Sequence, residues 1–188
     1  MSYFLLQNPR FFQLLLRVDQ EFAQQTRAVG CVCGGVLHRG DYPRKPRGCL
    51  PEVRSDFESR FSFCCSICRK RTTSMSVRFL GRRVYLALAV VLVCARLAGQ
   101  TPAASRAASL LDVPVRTLGR WRRWWQEQFP LTPLWRGACA RFMPPLMGVE
   151  MPTSLLARFT GTPAQSLMRM LLFLSPLTGC VITLGKGR

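Results

Sequence analysis

Apolar positions near the start of the chain recur with the spacing of an amphipathic helix. Over residues 1–28 they fall in adjacent pairs that start four or seven positions apart, at Phe4, Leu5, Phe11, Phe12, Leu15, Leu16, Phe22 and Ala23. The Asn8-Pro9 pair interrupts this pattern or starts it afresh, because asparagine caps helices and proline suits a first helical turn. The pattern predicts a helix that packs against a core or against a second copy.

Helix breakers dominate residues 29–80, at Gly30, Gly34, Gly35, Gly40, Pro43, Pro46, Gly48 and Pro51. Residues 60–65 alternate as a strand does, which predicts that Phe61, Phe63 and Cys65 share one face. This stretch is therefore expected to form a small β-containing module.

The second half of the chain has helical patterns. Val84 to Leu97 is apolar on all sides, which predicts a buried helix, and a second helical pair follows Gly99 with Thr101-Pro102 at its start. Trp124 and Trp125 are expected in a core or an interface. After a proline-rich linker, two short apolar patterns at Thr153 to Phe159 and Pro163 to Leu174 predict C-terminal helices.

Charge restricts the class of partner. The 188 residues include 27 Lys and Arg against 9 Asp and Glu, a net charge of +18. So positive a surface repels itself unless its partner is a polyanion or an anionic membrane, and nucleic acid is the first candidate. Nearly all the cations are arginine, which favours bidentate phosphate or guanine contacts but also follows genomic base composition.

Nine cysteines and the absence of a signal-peptide pattern at the N-terminus predict a protein of the reducing cytoplasm. Clustered thiols in that compartment are more often metal ligands than disulfide halves. Cys94, Cys139 and Cys180 each stand alone among apolar neighbours and are expected to be small core residues.

Two pairs of cysteines have the spacing of a zinc ribbon. Cys31 and Cys33 precede a basic loop, and Cys65 and Cys68 follow it. Four thiolates satisfy Zn²⁺ fully and leave no position for a catalytic water, so the predicted site is structural. The first spacing is one residue tighter than usual, and Cys64 or His38 could replace a ligand. Two alternatives are a redox pair at Cys65 and Cys68, or merely buried thiols.

The loop between the cysteine pairs is a candidate phosphate-binding surface. Twelve Lys and Arg oppose four Asp and Glu over residues 39–83, and Tyr42 offers a stacking face. The expected nucleic-acid contacts of this stretch are Arg39, Arg44, Lys45, Arg47, Arg69, Lys70 and Arg71.

Residues 107–121 have the spacing of two helices joined by a tight turn. Leu111 and Val113 flank the turn, Pro114 can open the next helix, and Leu118 and Trp121 are expected to face inward. The expected outward face, which would read a major groove, consists of Arg116, Thr117, Arg120 and Arg123. The motif resembles the helix-turn-helix of bacterial transposases and regulators, although Asp112 stands where glycine is usual. A plain helical hairpin in a core is the alternative.

Taken together, residues 29–129 resemble the accessory DNA-binding part of insertion-sequence transposases. Strand cutting in that family needs three acidic residues in a large ribonuclease-H-like domain, and this chain has only Glu127 and Glu150 after the helix-turn-helix pattern. The resemblance implies a non-enzymatic partner or regulator that binds double-stranded DNA, as a homodimer or with a transposase. An RNA-binding zinc protein is one alternative.

A small membrane-associated protein is the other alternative, anchored by Met170 to Leu184. That segment is shorter than the roughly twenty apolar residues of a membrane span.

The predicted fold is mainly α with a small β zinc ribbon. Its parts are an N-terminal helix at 1–28, a zinc ribbon at 29–80, a helix-turn-helix at 81–129, and a linker with C-terminal helices at 130–188.

Overall fold

The computed structural model describes residues 3–46, 49–80, 87–95, 109, 113–146 and 150–179. The fold is mainly helical with small antiparallel sheets, as predicted for the fold class. The helices are α1 (Pro9–Val29), α2 (Ala87–Ala95), α3 (Val115–Arg123), α4 (Pro133–Ala138), α5 (Thr153–Leu156) and α6 (Pro163–Leu174). The strands are β1 (Leu37–Arg39), β2 (Tyr42–Pro43), β3 (Ser59–Arg60), β4 (Ser62–Cys65) and β5 (Arg71–Thr73).

Helix α1 starts where the Asn8-Pro9 pair indicated. The Asn8 side chain accepts hydrogen bonds from the backbone N–H of Arg10 at 3.0 Å and of Phe11 at 3.4 Å, which satisfies two donors of the first turn. A short 3₁₀ turn, Tyr3–Gln7, precedes it. Phe11, Phe12 and Leu15 of α1 are buried as predicted, together with Asp19. The other apolar positions of the predicted face are half-buried at Leu16, Phe22 and Ala23, and Phe4 on the preceding turn is exposed.

The strands form two small antiparallel sheets. One has the order β1-β4-β5, with Leu37 opposite Cys65, and the other pairs β2 with β3. Phe61, Phe63 and Cys65 are all buried, but so are Arg60 and Ser62, so the predicted alternation is wrong: the chain passes from one sheet to the other at Phe61, and both of its sides are covered there. Because β1 precedes the basic loop and β4 follows it, their pairing brings the two cysteine pairs to one end of the sheet.

The main hydrophobic core takes residues from all four stretches of the sequence. It includes Leu5 and Phe12 from the N-terminal region, Phe57 and Phe79 beside the sheets, and, from the second half, Val91, Trp121, Trp125, Leu155, Leu167 and Leu171. A second, smaller cluster of Leu37, Phe63 and Cys65 lies beside the cysteine pairs. The described side chains of α2 are buried, as expected for a helix that is apolar on all sides.

A buried ion pair joins α1 to the segment after β5. Asp19 and Arg78 are both 0% exposed, and the Arg78 Nε donates to the Asp19 carboxylate at 2.7 Å. The backbone N–H of Val77 donates to the same carboxylate at 2.7 Å, and the Ser76 hydroxyl also donates to it. Nothing in the sequence pattern predicts this network.

The C-terminal helices have the predicted places. Thr162 and Gln165 form a reciprocal capping box at the start of α6, and Pro163 occupies its first position. Thr178, just beyond α6, accepts a hydrogen bond from the Ser76 backbone N–H at 2.8 Å, and its carbonyl accepts one from buried Arg60 at 3.1 Å. These bonds connect the end of the described chain to the sheet region.

The predictions for Cys94 and for the Trp124-Trp125 pair are confirmed, and the prediction for Cys139 is wrong. Cys94 and Trp125 are buried, and Trp124 packs against the main core while partly exposed. Cys139 is exposed. It lies in the short turn Cys139–Arg141, none of whose residues is buried. Cys180 lies outside the described residues.

No helix in the described part of the chain has the length and apolar character needed to cross a bilayer.

Candidate metal centre and cationic surface

The first cysteine pair lies on a tight turn after α1. The Gly34 N–H donates to the Cys31 carbonyl at 2.8 Å, and the Cys31 N–H donates to the Gly35 carbonyl at 3.2 Å. Gly34 has φ +81°, a left-handed conformation that glycine adopts without steric cost. The turn brings the sulfurs of Cys31 and Cys33 to 3.5 Å.

The second pair lies on the turn between β4 and β5. The Cys65 N–H donates to the Lys70 carbonyl at 3.1 Å, and the Ile67 N–H donates to the Cys65 Sγ at 3.4 Å. Arg69 has φ +58°, which is uncommon for a residue with a Cβ. The chain therefore tolerates a strained residue directly after Cys68 in order to close this turn.

Hydrogen bonds between the turns hold the pairs together. The Ser66 N–H donates to the Val36 carbonyl at 2.9 Å, and the Val36 N–H donates to the Ser66 hydroxyl at 3.1 Å. With the β1–β4 pairing, these bonds fix the relative positions of two turns about thirty residues apart.

Cys31, Cys33, Cys65 and Cys68 form the four-cysteine cluster. All four sulfurs lie within 4.8 Å of one another, with separations of 3.6 Å for Cys31–Cys68 and 3.4 Å for Cys33–Cys65. Thiolates bound tetrahedrally at about 2.3 Å from one ion lie about 3.8 Å apart, whereas a disulfide brings two sulfurs to about 2.05 Å. The four cysteines are free thiols. The cluster can therefore hold a metal ion.

Neither proposed substitute joins this cluster. The Cys64 thiol donates to the Arg69 carbonyl at 3.5 Å, and His38 is exposed opposite Cys64 in the β1–β4 register. Successive side chains of a strand point to opposite faces, so Cys64 faces away from the side of the sheet that Cys65 occupies.

Hydrogen bonding makes the cluster thiols unequal. Burial raises the pKa of Cys65, but the backbone N–H groups of Cys68 and Ile67 outweigh it and bring that pKa down to about 6. The Gly35 N–H lowers the pKa of Cys33. The Cys33 N–H lowers the pKa of Cys31, but hydrogen bonds with the thiols of Cys33 and Cys68 outweigh it and raise that pKa to about 12. The sulfurs thus share protons that a bound cation would displace.

Gly35 packs against the cluster, a contact that the sequence pattern does not predict. A Cβ at this position would lie 2.5 Å from the Cys65 Sγ, so we expect Gly35→Ala to displace that sulfur. The expected result is about a tenfold loss of metal affinity, the size typical of changes beside metal ligands. Competition with a chelator measures it.

Gly137→Ala is the matched control. Gly137 lies in α4, where a Cβ would meet open space. This variant should keep its metal affinity and gain up to about 1 kcal/mol of stability, because alanine favours helix more than glycine. Equal metal affinity in the two variants would contradict a role for Gly35 at the cluster.

Several predicted phosphate contacts near the sheet have partners within the protein. Arg39 pairs with Asp41 at 2.6 Å, and Arg71 donates to the Gly40 carbonyl at 2.7 Å. The guanidinium groups of Arg44 and Arg71 lie 5.0 and 5.7 Å from the centre of the Tyr42 ring. The prediction that Tyr42 offers an open stacking face is therefore wrong, because arginines cover it.

The remaining cations of this stretch extend into solvent. Lys45, Arg69 and Lys70 are exposed, and Arg69 and Lys70 directly follow the last cysteine of the cluster. Arg47 lies outside the described residues. Arg69 and Lys70 beside the cluster, and Lys45 after β2, can therefore reach an anionic partner.

Helix α3 carries the second set of predicted contacts. Arg116, Arg120 and Arg123 are exposed, while Leu118 and Trp121 are buried as predicted. The prediction that Thr117 faces outward is wrong: it is 3% exposed and accepts a hydrogen bond from Arg120 at 3.0 Å. Thr117 lies four residues before Trp121 and so shares its inward face.

The first helix of the predicted helix-turn-helix lies almost entirely outside the described residues. Residues 101–108 and 110–112, including Thr101-Pro102, the Leu111 position and the Asp112 turn, lie outside the described residues. Val113 is buried and α3 begins directly after Pro114. The described residues therefore establish the second helix alone.

An open groove of about 560 Å³ lies between α1 and the sheets. Its charged lining residues are Arg27, Arg39, Asp41 and Asp56, so the two signs balance. Unlike the surface beside the cluster, this groove offers no excess of positive charge.

No protein-family model matches the chain, and comparisons with curated proteins and with solved structures find no match.

Proposed function

We propose that this chain is a non-catalytic, zinc-dependent DNA-binding protein whose four-cysteine cluster holds one structural zinc ion. The convergence of four free thiols on one point carries the proposal. Zn²⁺ accepts four thiolates in a closed tetrahedral site, and soft sulfur ligands favour it over Mg²⁺ or Ca²⁺. The ion would bind the two turns together and fix the sheet that supports the basic residues.

The charge of the chain supports DNA as the partner. A net charge of +18 favours a polyanion, and the exposed side chains of Lys45, Arg69 and Lys70 would contact phosphates. Arg116, Arg120 and Arg123 on α3 would read base edges in a major groove. Buried Thr117 would instead help to position Arg120 through the hydrogen bond between them.

The ligand set supports a non-catalytic role for the metal. Four protein thiolates complete a tetrahedral shell, so no coordination position is left for water or substrate. His38 is the one histidine of the chain, is exposed, and stands outside the cluster. Relation to insertion-sequence transposases stays a prediction based on the sequence pattern.

Selection of bound oligonucleotides from random duplex and single-stranded RNA pools, at fixed salt and with zinc quantified in the same preparation, tests this function. We expect one zinc per chain and an enriched duplex sequence. On that sequence, Arg116→Ala should cost about 1–3 kcal/mol of binding free energy and relax preference at one position. Lys70→Ala should weaken binding to all duplexes alike and reduce the salt slope by about one.

Arg10→Ala is the charge-matched control, because Arg10 is exposed on α1 and belongs to neither set of proposed contacts. If all three substitutions change binding equally, only overall charge matters and specific readout is wrong. Enrichment of RNA alone would favour the RNA-binding alternative, and a metal-free preparation that binds the selected duplex unchanged would exclude a role for zinc.

A further inference from the structure

Four aliphatic side chains near the four-cysteine cluster are exposed to solvent. Val29 and Val32 are each 77% exposed, Ile67 is 68% exposed, and Val36 is 60% exposed. Exposed aliphatic residues scattered singly are ordinary on a protein surface, whereas a group of them marks a contact surface.

The contacts of the two turns show that Val32, Val36 and Ile67 are grouped, and Val29 ends α1 two residues before Cys31. Val36 exchanges two hydrogen bonds with Ser66, which precedes Ile67, and a Cβ on Gly35 would lie 3.1 Å from the Ile67 side chain. Val32 lies between Cys31 and Cys33, whose sulfurs meet those of the second turn. We call Val29, Val32, Val36 and Ile67 the aliphatic tip.

The chain segments of the aliphatic tip carry cations and no acid, although Arg27 also lines the groove that Asp41 and Asp56 share. Residues 27–38 and 66–71 contain Arg27, Arg69, Lys70 and Arg71, and neither segment contains Asp or Glu. With a net charge of +18, a second copy of the chain would be repelled from this surface. The complementary partner is anionic and also has an apolar layer.

We propose that the aliphatic tip docks on the surface of an anionic phospholipid bilayer. Negatively charged headgroups attract nearby Lys and Arg, and the acyl boundary beneath them accepts small aliphatic side chains. A DNA backbone satisfies the cations equally well but presents phosphate and sugar to the valines and isoleucine. The apolar character of the tip therefore favours lipid over a DNA duplex. The contact is peripheral, and the tip does not cross the bilayer.

Flotation with lipid vesicles tests the proposal on the full chain. Vesicles of phosphatidylcholine with phosphatidylserine should retain the protein, and vesicles of phosphatidylcholine alone should not. Val32→Asn and Ile67→Asn should each lower the vesicle partition coefficient about tenfold, the equivalent of losing one buried aliphatic side chain. Leu131→Asn, at a 57% exposed leucine outside the tip, should leave it unchanged.

Duplex binding by the same variants separates this proposal from the proposed function. Unchanged DNA affinity with reduced vesicle binding supports the lipid contact, whether or not DNA is the physiological partner. Three results overturn the lipid contact: no retention on phosphatidylserine vesicles, retention lost only in Arg69→Glu with Lys70→Glu, or DNA binding that falls as much as vesicle binding. Retained metal and unchanged circular dichroism identify variants that are still folded.

Discussion

Cys65→Ser should release the metal and unfold the sheet around it. The Cys65 sulfur is 0% exposed, lies 3.4 Å from the Cys33 sulfur and packs in the small core with Leu37 and Phe63. A serine hydroxyl replaces a thiolate poorly as a zinc ligand, and structural zinc contributes on the order of 10 kcal/mol in small zinc modules. Elemental analysis should fall from one zinc per chain to almost none, with loss of amide hydrogen-exchange protection in β1 and β4.

Cys64→Ser is the matched control, one residue away on the same strand. Its sulfur stands outside the four-cysteine cluster and donates to backbone carbonyls. This variant should keep its zinc and its fold. Loss of zinc from both variants, or from neither, would show that the ligands are assigned wrongly.

Asp19→Ala should destabilise the fold by about 4 kcal/mol, because it leaves the fully buried Arg78 without its counter-charge. That is a large share of the about 5–15 kcal/mol that stabilises a typical domain. The carboxylate also accepts hydrogen bonds from the Val77 N–H and the Ser76 hydroxyl, so both donors lose their acceptor. Urea unfolding measures the change in the free energy of unfolding.

Arg39→Ala breaks an ion pair of similar length but different environment. The Arg39 side chain is 69% exposed, so its pair with Asp41 should contribute no more than about 1 kcal/mol. If the two variants lose equal stability, burial does not govern the strength of these pairs and our explanation is wrong.

The metal cluster was predictable because its information is local. Cys31 with Cys33 and Cys65 with Cys68 each fit on one turn, and the strand alternation placed Cys65 on the buried face beside them. The start of α1 was predictable for the same reason, since Asn8 and Pro9 are adjacent. Metal identity, DNA binding and the helix-turn-helix remain predictions from pattern.

The errors arose where distant residues decide the environment. Asp19 and Arg78 are 59 positions apart, and ordinary statistics place both residue types at the surface. Arg60 is one of the twelve cations counted over residues 39–83, yet it is buried and donates to the carbonyls of Ser74 and Thr178. The error at Thr117 is of a different kind: it was placed on the outward reading face of the motif, although its local spacing of four residues from Trp121 indicates the inward face.

The arrangement of the main core has a consequence for biosynthesis. All four cysteines of the cluster have been translated by residue 68. Leu167 and Leu171 of the main core, and Thr178, which is hydrogen-bonded to Ser76, are translated more than a hundred residues after the start of α1. Domains form as their parts leave the ribosome, beginning with the N-terminal part. The four cysteines of the nascent polypeptide can thus meet early, while the main core stays incomplete until α6 has been synthesised.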